Sequence, residues 1–551
     1  MGHSEAENGR RNSDVRPQIS RNQTSRRKIL CMEEAISKTN FGLFNYYIIF
    51  VSGVILFALA METSSIIYVI PVACDMNLTT GQKGVLGSVV YFGILCSSYL
   101  FGYLADTKGR HCIIQPTLFL ACFMSIICSF FQNFYVFIAL RFLNGFFMSG
   151  SAANIFAYLG EFHNNSKRGH ALIGSTVIYS GLCMIIPLTA YSVINQDWQF
   201  QIPFIDVNYR PWRLFMVVCG TPGLVSALLL FFLPESPKFV LAQGDREGAY
   251  QILRKMHRWN NGEKSEFEDF EIREEIESIN SSQGITKSNK SLLKTIWYQT
   301  VPLFKPPYLK STTLLCLIQF GIYATGNGFF MFFGEIINGM SIKLDSFTED
   351  RAMMCDVINM KTVNMSAIKD NEIDLEVCID KLELSTIENG FIFELLYTVC
   401  LAISGMLLNR VGKFPVTFFI LVTTGLSGIG CMLTDVPLLQ ISFYIWLLSC
   451  QMASNVLNAV TVDLYPTTMR AMAISISLMF GRLGSIAGSN TAAILLDDHC
   501  EAAFYLSGLL TIAMGVLAFF IPNIHKRVKN SDEPDTRLSI VSFTGSVKSF
   551  H

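Results

Sequence analysis

Charge is scarce in this chain: 15% of its 551 residues are Asp, Glu, Lys or Arg, against roughly 25% in soluble domains. So little charge cannot cover the surface of a soluble fold this large. Disorder of the bulk is excluded as well, because 51% of the residues are hydrophobic and disorder needs low hydrophobicity. Histidine is rare, and no Cys/His spacing reads as a zinc site. There is no Gly-x-x-x-x-Gly-Lys phosphate loop, so ATP-driven chemistry lacks its cradle. No Ser/His/Asp constellation falls on a coherent element, and no basic face offers itself to nucleic acid. The expectation is a non-enzyme that needs no cofactor and no nucleic-acid partner. Residues 1–42 are polar and basic without an apolar core, so no cleavable signal peptide is expected there.

Long apolar runs fill the space that charge leaves. The mean hydropathy is +0.39, with 44 Phe and 22 Met. Blocks near 44–72, 84–104, 112–131, 134–157, 170–194 and 212–233 are each long enough to span a bilayer. Six more lie near 311–336, 390–408, 414–433, 437–460, 470–496 and 503–522. The predicted organisation is an N-tail (1–42), a six-helix bundle (43–233) and a polar central loop (234–310), followed by a second six-helix bundle (311–522) and a C-tail (523–551). The expected fold is all-α: twelve transmembrane helices in two six-helix halves.

Of the 42 Lys and Arg, 32 fall on the side holding both tails and the central loop, and 7 on the other; three lie in spans or at their ends. The positive-inside rule makes the richer side cytoplasmic. The loop 337–389 is then exoplasmic. It is acidic and holds Cys355 and Cys378, which an oxidising lumen would allow to pair. Asn364-Met-Ser366 is an acceptor for N-glycan on the same side.

The chain repeats itself. Gly102-Tyr-Leu-Ala-Asp106-Thr-Lys-Gly109-Arg110 follows the second span, and Gly405-Met-Leu-Leu-Asn409-Arg410-Val-Gly412-Lys413 follows the eighth, 303 residues on. Glu161 precedes Arg168 by seven residues after the fourth span, and Asp463 precedes Arg470 by seven after the tenth, 302 residues on. Two motifs whose offsets agree within one residue mark duplicated halves. Internal repeats with a site between them are the pattern of secondary transporters.

These residues resemble a known family. The loop Gly102 to Arg110 is similar to the signature between spans 2 and 3 of the major facilitator superfamily. Arg141-Phe-Leu-Asn-Gly145 resembles its Arg-x-x-x-Gly element. Pro234-Glu235-Ser236-Pro237-Lys238 resembles the Pro-Glu-Ser-Pro-Arg signature of its sugar and organic-cation branches, and Asp463-Leu-Tyr-Pro to Arg470 their Glu-Leu-Tyr-Pro-Thr-x-x-Arg. Within the superfamily the text is most similar to the synaptic vesicle glycoprotein 2 group and its insect-type relatives. The resemblance implies the major facilitator fold and a carrier, in a plasma or vesicle membrane. Its charged motifs would then act as a cytoplasmic gate, or alternatively as determinants of folding and topology.

Polar groups inside spans are costly and mark candidate contacts. Glu62 lies mid-span; it reads either as a cation or proton coupling site or as a structural pair or hydrogen-bonded neutral acid. Arg482, flanked by Gly481 and Gly484, could bind an anionic group or neutralise an acid such as Glu62, or it snorkels or holds a fixed ion pair, the reading slightly favoured. The two are expected to share the central cavity with Gln319, Tyr323 and Asn327 of the seventh span and Gln451, Asn455 and Asn458 of the tenth. Glu394 is a weaker candidate, and a structural role is favoured for Arg141. The reading is an alternating-access carrier of a small organic solute, acting as a monomer in the bilayer. Its rival is a non-transporting scaffold or vesicle-associated regulator on the same fold.

Overall fold

The computed structural model describes residues 28–203, 207–273, 300–346, 354–355, 381–408, 410–465 and 467–521. Eleven of the described helices are long and apolar enough to cross a membrane. The first half comprises α2 (Leu43–Val69), α3 (Thr80–Lys108), α4 (Arg110–Cys128), α5 (Phe134–Glu161), α6 (Asn165–Cys183) with α7 (Ile185–Ile194), and α8 (Pro211–Leu230). The fifth span breaks at Met184. Pro187 explains it, since its ring excludes the carbonyl of residue 183 and offers no N–H.

The second half comprises α11 (Leu309–Phe330), α13 (Leu384–Leu408), α14 (Lys413–Leu433), α17 (Thr467–Asp498) and α18 (Cys500–Ala518). Between α14 and α17 runs the tenth span, the one remaining crossing. It consists of α15 (Pro437–Leu448) and α16 (Met452–Leu464), joined by one 3-10 turn at Ser449–Gln451. Each piece alone is too short to span. α12 (Phe333–Ser346) follows α11 and packs against α2 and α13.

Small residues set the helix spacing, as expected where lipid offers no hydrophobic drive between helices. A Cβ on Gly145 of α5 would strike the Val90 backbone of α3, and one on Gly484 or Gly488 of α17 the backbone of α11 at Phe320 or Ala324. The duplicated loops agree in shape. Gly109 (φ 108, ψ 148) and Gly412 (φ 100, ψ 160) occupy the same left-handed region, each capping the next helix. A Cβ is strained there, so both copies of the repeat need glycine at this point.

The halves touch along α3 and α17, and along α6 and α7 against α13. Described hydrogen bonds between them concentrate away from the tail-bearing face. Lys83 meets Glu335 at 2.6 Å. Asn195 both donates to and accepts from the Leu382 backbone at 2.8 Å. Asn490 reaches Ser88 at 3.1 Å. Nearer mid-membrane, Tyr99 meets the Met479 sulfur at 3.6 Å, and Arg482 donates to Ser98. On the tail-bearing face Gly102 and Gly405 look into open space.

The N-tail and the central loop, separate in sequence, pack together beneath the first half. β1 (Lys28–Leu30) pairs in parallel with β4 (Phe270–Ile272), beside α1 (Met32–Lys38), α9 (Pro237–Ala242) and α10 (Arg246–Asn261); β2 (Phe200–Ile202) and β3 (Val207–Tyr209) pair antiparallel between α7 and α8. Asn260 ties this layer to α2: its Oδ1 accepts from the Phe44 N–H at 2.9 Å, and its amide donates to Thr39 and Asn40 carbonyls. Trp259 packs on Phe44 and Tyr47. Glu33 of α1 is gripped by Lys238 at 2.5 Å and by the Asn165 N–H at 3.0 Å. Burial would raise its carboxyl, but these contacts hold it below the usual glutamate range.

The structure corrects the expected disulfide. Cys355 is bonded to Cys500 at the start of α18, so Cys378 is not its partner. Cys74 is also disulfide-bonded. Cys378 itself, Asn364 and Asn409 lie outside the described residues, as do the side chains of Asp463 and Arg470.

Candidate functional site

A cavity of about 360 Å³ lies between the two halves. α2, α3, α5, α6 and α7 line it from one side, with Thr63, Ser64, Tyr91, Thr176 and Tyr179 among their contributions. α11, α13, α16 and the 3-10 turn line it from the other, with Tyr323, Asn327, Phe330, Phe393, Glu394, Tyr397, Gln451, Ser454 and Asn455. The break in the tenth span puts Gln451 at the wall. That turn and Gly326 sit so close that a Cβ on Gly326 would meet the Gln451 side chain.

The amides anticipated on spans 7 and 10 do meet. Gln451 donates to the Asn327 carbonyl oxygen at 2.5 Å, and Asn327 donates to Ser485 at 2.7 Å. Asn455 reaches the Tyr397 hydroxyl at 3.4 Å. Polar groups in lipid need partners, and these satisfy one another at the cavity wall. Two members of the expected set stand apart from the lining. Gln319 is buried behind it and donates to Ser454 at 2.6 Å, while Asn458 is one helical turn further along α16.

Glu62 and Arg482 are not together. Glu62 points into the first half, 4% exposed, and outside the cavity lining. Arg141 Nη1 lies 3.3 Å from its carboxylate, and Arg141 Nη2 donates to the Glu62 backbone oxygen at 2.8 Å and to Ser65 at 3.1 Å. Ser125 donates to the same carboxylate at 2.9 Å. In this geometry the base beside Glu62 is Arg141 rather than Arg482. The acid is on α2 and the base on α5, and helical periodicity does not reveal which faces of two helices meet. Arg213, at the start of α8, is likewise paired, 2.7 Å from Asp75.

The motif of the second-to-third-span loop closes on its own half. Arg110 bridges Asp106 at 3.0 Å and Glu161 at 3.1 Å. Glu161 thus takes Arg110 as partner and not Arg168, whose Nε donates to the Gly160 carbonyl at 3.1 Å. Glu235, from the Pro234-Glu235-Ser236 run, caps α4. Its carboxylate accepts from the N–H groups of Arg110 at 3.1 Å, His111 at 3.2 Å and Cys112 at 3.4 Å. Negative charge is favoured at a helix N-terminus, where these donors have no intrahelical partner. The Tyr158 hydroxyl donates to the Pro234 carbonyl at 2.6 Å and anchors the cap. Gly405 and Arg410 occupy the equivalent place in the second half, where the Lys413 ammonium donates to the Ala459 carbonyl at 2.9 Å.

Sequence reasoning missed the aromatic lining. Tyr91, Tyr179 and Tyr397 look ordinary in apolar spans, and only a hydroxyl every few turns hinted at an inward face. It also missed Ser98 as the partner of Arg482.

A profile of the sugar (and other) transporter family matches residues 31–360, and one of the major facilitator superfamily matches residues 352–549. The chain is similar to synaptic vesicle glycoprotein 2B of Homo sapiens, 28% identical over 321 residues, covering 55% of this chain and 47% of that protein. Synaptic vesicle glycoprotein 2A of Rattus norvegicus is 27% identical over 328 residues, covering 55% and 43%. These matches span less than half the length of the curated relatives. In fold, the chain is similar to a D-xylose–proton symporter, with a TM-score of 0.56 at 12% identity, covering 87% of this chain and 98% of that one. It is similar too to the xylose transporter XylE from E. coli in a partially occluded inward-open conformation, with a TM-score of 0.58 at 13% identity, covering 87% and 99%. The duplicated motifs, the twelve crossings in two halves and a family profile over more than half the residues agree: this multi-pass membrane protein belongs to the sugar (and other) transporter family of the major facilitator superfamily.

Proposed function

We propose that the protein is a secondary active transporter that carries a small organic solute by alternating access, with both termini in the cytoplasm. The observation that carries the reading is the cavity whose walls come from both halves. A rocking of one half against the other would open it first to one face and then to the other. The bonds Lys83–Glu335 and Asn195–Leu382 seal the face away from the tails, while Gly102 and Gly405 look into open space on the tail-bearing face. An inward-facing conformation accounts for both. The excess of Lys and Arg on the tail-bearing side supports the cytoplasmic assignment. In the outward-facing state the Asp106–Arg110–Glu161 cluster would meet its counterpart in the second half and hold the cytoplasmic side shut.

The test is uptake by purified protein in liposomes, screened over organic cations, organic anions and sugars, with and without a pH gradient. Saturable uptake of one class supports the carrier. Dependence on the gradient assigns proton coupling. Absence of uptake across all classes by folded protein would favour a scaffold on the carrier fold.

A further inference from the structure

Among the described residues, Glu394 is the one carboxylate in the lining of the central cavity, and that lining holds no Lys, Arg or His. The basic groups that could have neutralised it are engaged elsewhere: Arg141 with Glu62, Arg482 with Ser98. Among the described residues no hydrogen bond or ion pair is made by the Glu394 carboxylate, whereas the neighbouring amides satisfy one another. An unpaired carboxylate in a wall of mostly apolar and aromatic groups is costly.

The surroundings are aromatic. Phe393 and Tyr397 flank Glu394 on α13, and Phe330 packs against Phe393 with ring centroids 5.1 Å apart and the rings tilted by 38°. Tyr179 faces them from the other half. The two helices are held together there by a 2.6 Å bond between Ser180 and Thr398. A negative charge among aromatic faces suits one kind of guest, because ring faces attract cations and are best known for binding quaternary ammonium groups. A neutral polyol would satisfy none of the charge, and an anion would be repelled.

We propose that the central cavity takes an organic ammonium cation, with the Glu394 carboxylate as its counter-charge and Tyr179, Phe330, Phe393 and Tyr397 as its walls. The inference rests on the carrier reading above for the site, yet binding can be measured apart from transport. A cation arriving from either face would enter without its water, give Glu394 its missing partner, and be drawn to the half that carries α13.

The experiment uses the full-length protein in detergent and in liposomes. The probes are choline, its neutral isostere 3,3-dimethyl-1-butanol, and xylose. Choline is expected to raise the melting temperature in a saturable manner, and the neutral isostere is not. In Glu394→Gln, choline affinity should fall at least tenfold, with unliganded melting temperature and elution profile retained. Glu394→Asp, which keeps the charge, should retain part of the affinity. Equal binding of choline and its isostere, or equal choline affinity in wild type and Glu394→Gln, would overturn the proposal. So would xylose uptake without choline binding, which would leave the carrier reading standing. Choline binding that depends on Glu394, without uptake of any organic cation, anion or sugar, would support the site while removing the carrier reading.

Discussion

Arg141 reaches the Glu62 carboxylate at 3.3 Å and the Glu62 backbone carbonyl at 2.8 Å, so one base closes both the side chain and the main chain of a single turn of α2. Both side chains are buried. Removing one partner leaves the other charge stranded, which costs about 3–5 kcal/mol for buried pairs. Arg141→Met is therefore expected to lower the melting temperature sharply and to shift the protein toward aggregate on size exclusion. The double variant Glu62→Gln/Arg141→Met should recover most of that loss. Recovery is the informative result, since a coupling role for Glu62 alone predicts that the double variant stays as defective as the single one.

The repeat makes a second prediction. Gly109→Ala and Gly412→Ala each place a Cβ where φ is 108° or 100°, at a cost of about 1–3 kcal/mol. A Cβ on Gly109 would also drive into the Glu235 carboxylate. The Gly109 variant should therefore be the less stable of the two in thermal unfolding. Glu235→Ala should cost about 0.5–2 kcal/mol, as loss of a helix cap does.

These glycines show what could be read from the sequence and what could not. A left-handed corner between two helices is local, so its glycine appears in the text twice at a 303-residue interval. The helix number, the two halves and the amide cluster on spans 7 and 10 are legible for the same reason, as each is written in a contiguous run. Glu62–Arg141, Glu161–Arg110 and Cys355–Cys500 are not. Each joins groups whose meeting depends on how whole helices rotate and dock. The docking of β1 against β4, 242 residues apart by register, was hidden for the same reason.

Peptide mapping of intact protein under non-reducing conditions should return a Cys355–Cys500 crosslink. The loop it closes spans 145 residues, and loss of such a native disulfide typically costs about 2–5 kcal/mol. Cys500→Ser should lower the melting temperature, and reductant, which also opens the Cys74 disulfide, should lower wild type at least as far. Unmodified thiols at both positions in protein purified without reductant would contradict the pairing.

His163, between α5 and α6, titrates below the ordinary histidine value, chiefly because burial disfavours its charged form. Its Nδ1 donates to the Leu159 carbonyl at 2.8 Å. A folded pKa below the unfolded one means the unfolded chain takes up the proton first. Stability is then complete above about 6.5 and falls as the pH drops through that value toward the folded pKa. His163→Phe should flatten this part of the pH–stability curve measured by thermal unfolding. An unchanged slope would show that another group governs it.

A carrier of this build moves solute only if the face sealed by Lys83 and Glu335 opens. Lys83→Cys/Glu335→Cys, joined by a short bifunctional thiol crosslinker in liposomes, tests it most directly. The native side chains stand 2.6 Å apart, within reach of such a link. The account predicts that crosslinking abolishes uptake of whichever solute the liposome screen identifies, and that cleaving the link restores it. Full-rate uptake by quantitatively crosslinked protein would contradict alternating access through this face.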